Sequence, residues 1–205
     1  DEIVQRVKDP PQELREILAR EAEGNPFYLE ELVKMLLDQG VIQRGSQADA
    51  PWRIELERLQ GMKLPDTLAG VMQARLDGLP EAEKDVLRRA SVIGRLFWDR
   101  AVDYLGEGSK SQKSAASLEQ VWPSLRTREM IFHRERSVFK NSEEYIFKHA
   151  LLREAVYESV LRRLRREYHK RAALWMILES TGRSGEFAGL IADHWSLAEE
   201  PTQEA

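Results

Sequence analysis

Cysteine is absent from the sequence, which excludes a disulfide framework, thiolate zinc sites and cysteine nucleophiles. Long apolar runs are missing as well; the longest, residues 172–178, is far too short to span a bilayer. No charged-then-apolar leader opens the chain, so neither secretion nor membrane association is expected, and the expected location is cytoplasmic. An excess of basic charge is lacking too. Lys and Arg total 31 against 35 Asp and Glu, a net charge of -4, which disfavours a nucleic-acid module built on the whole chain. None of the twelve glycines is followed by lysine, so the phosphate-cradling Gly-Lys-Ser/Thr loop is absent. Nucleophile elbows and paired-histidine metal helices are missing. The four histidines, His133, His149, His169 and His194, have no ligand spacing on one helix, and no metal is expected. Glu30-Glu31 reads as a solvated helix edge rather than an acid/base couple. No catalytic residue emerges, and no catalysis is expected of this chain by itself.

What is present is a globular composition, 42% hydrophobic and 32% charged over 205 residues, arranged mostly with helical periodicity. Residues 12–23 carry Leu14, Ile17, Leu18 and Ala22 on one face, after Pro10 and Pro11. Gly24-Asn25-Pro26 then forces a corner, because glycine ends helices and proline restricts the residue before it. A second helix follows, with Phe27, Leu29, Leu32, Val33, Leu36 and Leu37 as its stripe, ending near Gly40. Val41-Ile42 and Trp52-Arg53-Ile54 flank a polar stretch, residues 45–50, and predict a hairpin. Helix restarts after Leu64-Pro65, with Asp66 or Thr67 as N-cap and Leu68, Val71, Met72 and Leu76 buried. Pro80 begins a helix that buries Ala82, Val86, Ala90 and Ile93 and stops at Gly94.

A short helix is expected over residues 98–105, a mobile polar loop over 106–117, and a further helix over 118–128. Met130-Ile131-Phe132 and Tyr145-Ile146-Phe147 then read as two strands around a turn at Asn141-Ser142. Helices followed by a two-stranded wing are the outline of a winged helix. From His149 one long helix is expected, with Leu152, Val156, Val160, Leu164, Tyr168 and Ala172 at four-residue intervals, then another over 187–198. That helical pair could open a repeat array of tetratricopeptide type, although no second copy is present. The expected class is thus mainly α, in four parts: a helical lid (1–40), a β-hairpin connector (41–64), a winged helix (65–148) and the start of a repeat region (149–205). The chain opens at Asp1 within a helical pattern and is expected to be a piece of a longer polypeptide.

Three blocks, in order, carry a resemblance. They are Glu23-Gly24-Asn25-Pro26-Phe27-Tyr28-Leu29-Glu30-Glu31-Leu32, then Leu64-Pro65-Asp66-Thr67-Leu68 with Leu79-Pro80-Glu81-Ala82-Glu83, then Tyr145-Ile146-Phe147-Lys148-His149-Ala150-Leu151-Leu152-Arg153 and the residues to Tyr157. Together they resemble the signal-transduction ATPases with numerous domains, relatives of AAA+ ATPases, and above all the ATPase module attached to bacterial class III adenylate/guanylate cyclases. The resemblance implies that an upstream P-loop ATPase domain and an output domain are the partners of this segment in the same chain. It implies ADP or ATP as cofactor, bound only together with that P-loop domain. Gly24 and Asn25 would shape the corner, Pro26 would pack on the adenine base, and His149 would reach the β-phosphate of ADP. The sequence departs from the related Met-His-Asp motif, having Lys148 for Met and Ala150 for Asp.

A DNA-binding winged helix is the alternative. Its best support is the basic stretch of Arg162, Arg163, Arg165, Arg166, Lys170 and Arg171, offset by Glu167. Its weakness is the expected reading helix, where Asp99 and Asp103 outnumber Arg100. DNA is therefore not expected as a partner. A third possibility is a scaffold whose C-terminal helices bind protein.

Overall fold

A computed structural model describes residues 24–43, 53–107, 115–181 and 183–199, together with Leu14, Glu16, Leu18 and Arg20. The chain is mainly helical and divides into two compact units, Asp1–Leu79 and Pro80–Ala205.

In the first unit, Leu14, Glu16, Leu18 and Arg20 are helical, with the two leucines buried and the two charged residues exposed, as an amphipathic spacing requires. The rest of the helix expected over 12–23 lies outside the described residues, as does the polar turn at 45–50. Helix α1 (Pro26–Asp38) buries Leu32, Val33 and Leu36 of the expected stripe together with Tyr28 and Met35, while Phe27, Leu29 and Leu37 are half-buried. The hairpin is present, with β1 (Ile42–Gln43) antiparallel to β2 (Arg53–Ile54) and Ile42 opposite Ile54. A short helix α2 (Leu56–Gln60), which the sequence did not announce, follows and buries Leu59 in the same core. Helix α3 (Leu68–Asp77) starts at Thr67, whose hydroxyl accepts the Gly70 N–H at 3.1 Å.

Helix α3 packs on α1 and falls within the first unit, although it lies beyond residue 65, where a new segment was expected to begin. The reason is ionic as well as apolar. Arg75 lies on the buried stripe of α3 beside Val71 and Met72, and its guanidinium pairs with Glu31 and, at 3.0 Å, with Asp38 of α1. Lys34 also reaches Glu31, at 3.0 Å. Glu31 is fully buried, so it is not the solvated helix edge expected from its neighbour Glu30. A carboxylate at such a position persists only when paired.

The second unit begins with α4 (Glu81–Ile93), β3 (Leu96–Trp98) and α5 (Asp99–Gly106), and continues with α6 (Ala115–Thr127), β4 (Ile131–Arg134) and β5 (Glu144–Phe147). Pro80 is the N-cap of α4 rather than its first helical residue. The loop expected over 106–117 is shorter, because Gly106 ends α5 and α6 starts at Ala115; residues 108–114 lie outside the described residues. The sheet has three strands in the order β3-β5-β4, both pairs antiparallel. The third strand, β3, is hidden in sequence: three residues between two helices show no alternation long enough to see. Period-two alternation gives the sheet two distinct faces. Phe97, Tyr145 and Phe147 stack on one, with Trp122 of α6 against Tyr145 at 4.7 Å between ring centres. Trp98 and Glu144 share the other, where the indole N–H donates to the Glu144 carboxylate at 3.0 Å.

The single long helix expected after His149 is two helices, α7 (Ala150–Ser159) and α8 (Arg162–Glu179), because Val160 and Leu161 are extended. The Arg165 guanidinium seals the break by donating to the Val160 carbonyl at 2.8 Å. After it the buried stripe changes register. Leu164 is exposed, whereas His169, Ala172, Ala173 and Met176 are buried against α9 (Ser184–Glu199).

Candidate functional site

The corner before α1 is built from three residues with separate tasks. Gly24 takes φ +82°, a left-handed conformation that costs a side-chain-bearing residue about 1 kcal/mol or more. Asn25 is the N-cap, its side-chain carbonyl accepting the N–H groups of Phe27 at 3.1 Å and Tyr28 at 3.2 Å. Pro26 occupies the first helical position, where its missing N–H costs nothing. Behind the corner, the buried Tyr28 donates its hydroxyl to the Pro65 carbonyl. The result is a pre-set bend with an exposed proline ring.

His149 stands in the second unit, at the junction of β5 and α7. It is the N-cap residue of α7, in extended conformation (φ −127°, ψ 138°), half-buried, and its side chain does not cap the helix. With alanine at position 150, the first turn of α7 also lacks an acidic residue. The flanks are fixed: Lys148 pairs with Glu129, and the Arg153 guanidinium donates to the Ser91 carbonyl of α4 at 2.8 Å. Gly24, Asn25 and Pro26 thus form one local element, and His149 belongs to another, in its own unit.

Two features escaped the sequence reading. The first is the β4–β5 turn. Phe139, in the turn between β4 and β5, is buried among Trp98, Trp175 of α8 and Phe187 of α9, each 4.8 Å away between ring centres. Arg183 adds a hydrogen bond of 3.0 Å to the Val138 carbonyl. Glu144 braces the same turn, accepting the Val138 N–H at 3.3 Å and facing Arg134. Through Phe139 the β4–β5 turn is therefore plugged into the helices that follow it.

The second feature is a buried histidine pair. His169 Nδ1 and His194 Nδ1 share a hydrogen bond of 2.8 Å, and His169 Nε2 bonds the Tyr157 hydroxyl at 3.0 Å. Burial, helped by His194, Arg153 and Arg165, lowers the His169 pKa to about 3. Burial lowers His194 to about 4, reinforced by Arg153 and opposed by the Ile93 backbone and Asp193. Two neutral rings suit the contact, one Nδ1–H donating to the other's lone pair. The signal for His169 was its place on one helical stripe with Ala172 and Met176.

Among the described residues no cluster of three or more potential metal ligands occurs, and no helix is long and apolar enough to cross a membrane. Residues 6–45 match a family model described as a domain of unknown function (DUF8739), a stretch that includes the Gly24-Asn25-Pro26 corner and α1. No curated protein and no solved structure matches the chain.

Proposed function

We propose that this chain is a regulatory segment of a multidomain signalling ATPase. Its first unit acts as a helical lid, and its second is a winged helix followed by the opening helices of a repeat region. Each unit contributes a contact to ADP or ATP held on an upstream P-loop domain, and the segment relays nucleotide state to an output domain such as a nucleotide cyclase. The segment itself catalyses nothing; it is cytoplasmic.

The observation that carries this reading is the corner at Pro26. Asn25 and Gly24 fix its backbone, yet its ring is exposed and so is not consumed by the core of its own unit. A rigid apolar ring presented in this way suits the flat face of a base. His149 supports the reading from the second unit, since an imidazole N–H at a strand-to-helix junction can donate to a phosphate oxygen. The plugged wing supports the relay: a displacement of β4 and β5 must be felt by α8 and α9 through Phe139.

The DNA-binding alternative gains nothing from the geometry. Asp99 is committed to the turn before β5, accepting the Ser142 hydroxyl at 2.7 Å and the Glu143 N–H at 2.9 Å, so the acidic start of α5 is structural. In the β4–β5 turn, Phe139 is buried against Trp175 of α8 and Phe187 of α9, while residues 132–138 stay exposed with Glu135 among their cations.

Calorimetry of ADP binding to a polypeptide carrying the P-loop domain ahead of this chain tests the proposal. Pro26→Ala and His149→Ala should each weaken binding tenfold or more, about 1.4 kcal/mol. Unchanged affinity in folded variants would return both residues to the role of structural corners.

A further inference from the structure

Helix α8 packs on α9, α5 and α4 with one side and leaves the opposite side to solvent. That outer side is not the uniformly charged face expected of a solvated surface helix. Its first half carries Arg163 and Lys170, both exposed, around the single acid Glu167. Its second half carries Leu174, Ile177 and Leu178, which are 36%, 45% and 60% exposed and recur at helical spacing. Leu161 and Leu164, 76% and 38% exposed, border an open groove of about 680 Å³ that Ala198 of α9 closes on one side. The Arg166 guanidinium holds that wall by donating to the Ala198 carbonyl at 3.0 Å.

We infer that this face docks an amphipathic helix of another protein, one that sets acidic side chains against Arg163 and Lys170 and apolar side chains against Leu174, Ile177 and Leu178. Charge complementarity selects that occupant. A second copy packed in parallel would set cations against cations, and one packed antiparallel would set Arg163 and Lys170 against the leucines. Duplex DNA would match Arg163 and Lys170 but strand the leucines against phosphates. A bilayer surface favours helices with apolar residues along one whole face and cations at its flanks. Here cationic and apolar segments succeed one another along the axis, and the groove beside Leu161 and Leu164 is concave, a shape that accepts side chains. Ridges of a partner helix can fill such a groove with an interaxial distance of roughly 8–10 Å. The inference is independent of nucleotide binding.

Fluorescence anisotropy with the whole chain tests it, using a synthetic helix of Glu and Leu as probe and a Lys-for-Glu version as control. The acidic probe should bind with salt-sensitive affinity, and the basic one should not. Arg163→Glu with Lys170→Glu should weaken binding at least tenfold, and so should Ile177→Ser with Leu178→Ser. These side chains are exposed, so circular dichroism should be unchanged. The inference is overturned if the acidic probe fails to bind, or if neither pair of substitutions weakens it. It is equally overturned if duplex DNA or anionic phosphatidylserine vesicles bind more tightly than the acidic probe.

Discussion

Arg75 shows how one side chain can decide where a unit ends. Its position on α3 is that of a core residue, and its charge is tolerated because Glu31 and Asp38 meet it there. Removing one partner leaves the other buried and uncompensated, which typically costs about 3–5 kcal/mol, far more than loss of a surface pair. Arg75→Ala should therefore lower the urea midpoint of the first unit severely. Arg75→Met with Glu31→Leu should recover part of that loss, since the apolar pair removes its own desolvation penalty while Lys34 keeps Glu30 as its partner. Recovery by the double replacement separates a buried ion pair from a merely large side chain. At the corner, Asn25→Ala should cost about 1 kcal/mol in the same assay, through the two N–H groups that lose their acceptor. The exposed Pro26 should be replaceable by alanine with little change in stability. That contrast was visible in the sequence, because Gly, Asn and Pro each have a known backbone preference. Arg75 and Glu31 were not, since a charge on an apolar stripe can be read as noise until its partner appears.

The β4–β5 turn and the histidine pair work at the scale of elements. Phe139 joins β4 and β5 to α8 and α9, so Phe139→Ala should cost about 3–5 kcal/mol and loosen the C-terminal helices together with β4 and β5. Hydrogen exchange would report both segments opening at once. Tyr157, His169 and His194 similarly tie α7, α8 and α9. Both histidines are held neutral in the fold, with pKa values lowered to about 3 and about 4, whereas unfolded histidine titrates near 6.5. The unfolded chain therefore takes up more protons as pH falls. The pair's contribution is fully present above pH 6.5 and is lost progressively toward pH 4, on the order of 2 kcal/mol per histidine by pH 5. Thermal unfolding should show a melting temperature that falls between pH 7 and pH 5, and His169→Leu with His194→Leu should flatten that slope. Sequence periodicity located nearly every helix here, yet it joined α7 to α8. The break at Val160 and Leu161 uses neither glycine nor proline, and four-residue spacing runs through it unaltered. It also missed β3, whose pairing with β5 is set by residues some fifty positions away.

On the scale of the whole molecule, the proposed function asks a separate contact of each unit, a proline ring of the first and an imidazole of the second. The mainly helical class, the β1–β2 hairpin and the β4–β5 pair were legible because each depends on local alternation or capping. The division at Leu79 was not, because it depends on Glu31 and Asp38 finding Arg75 across more than thirty residues of chain. The proposed contacts, Pro26 and His149, were singled out by resemblance alone; Pro26 is exposed at a helix start and His149 half-buried at a strand-to-helix junction. The most direct test is hydrogen–deuterium exchange on a polypeptide that includes the P-loop domain, with and without ADP. The account predicts slowed exchange in two separate places, the first turn of α1 after Asn25 and the first turn of α7 after His149. ADP binding that protects the P-loop domain while leaving both turns unchanged would contradict it.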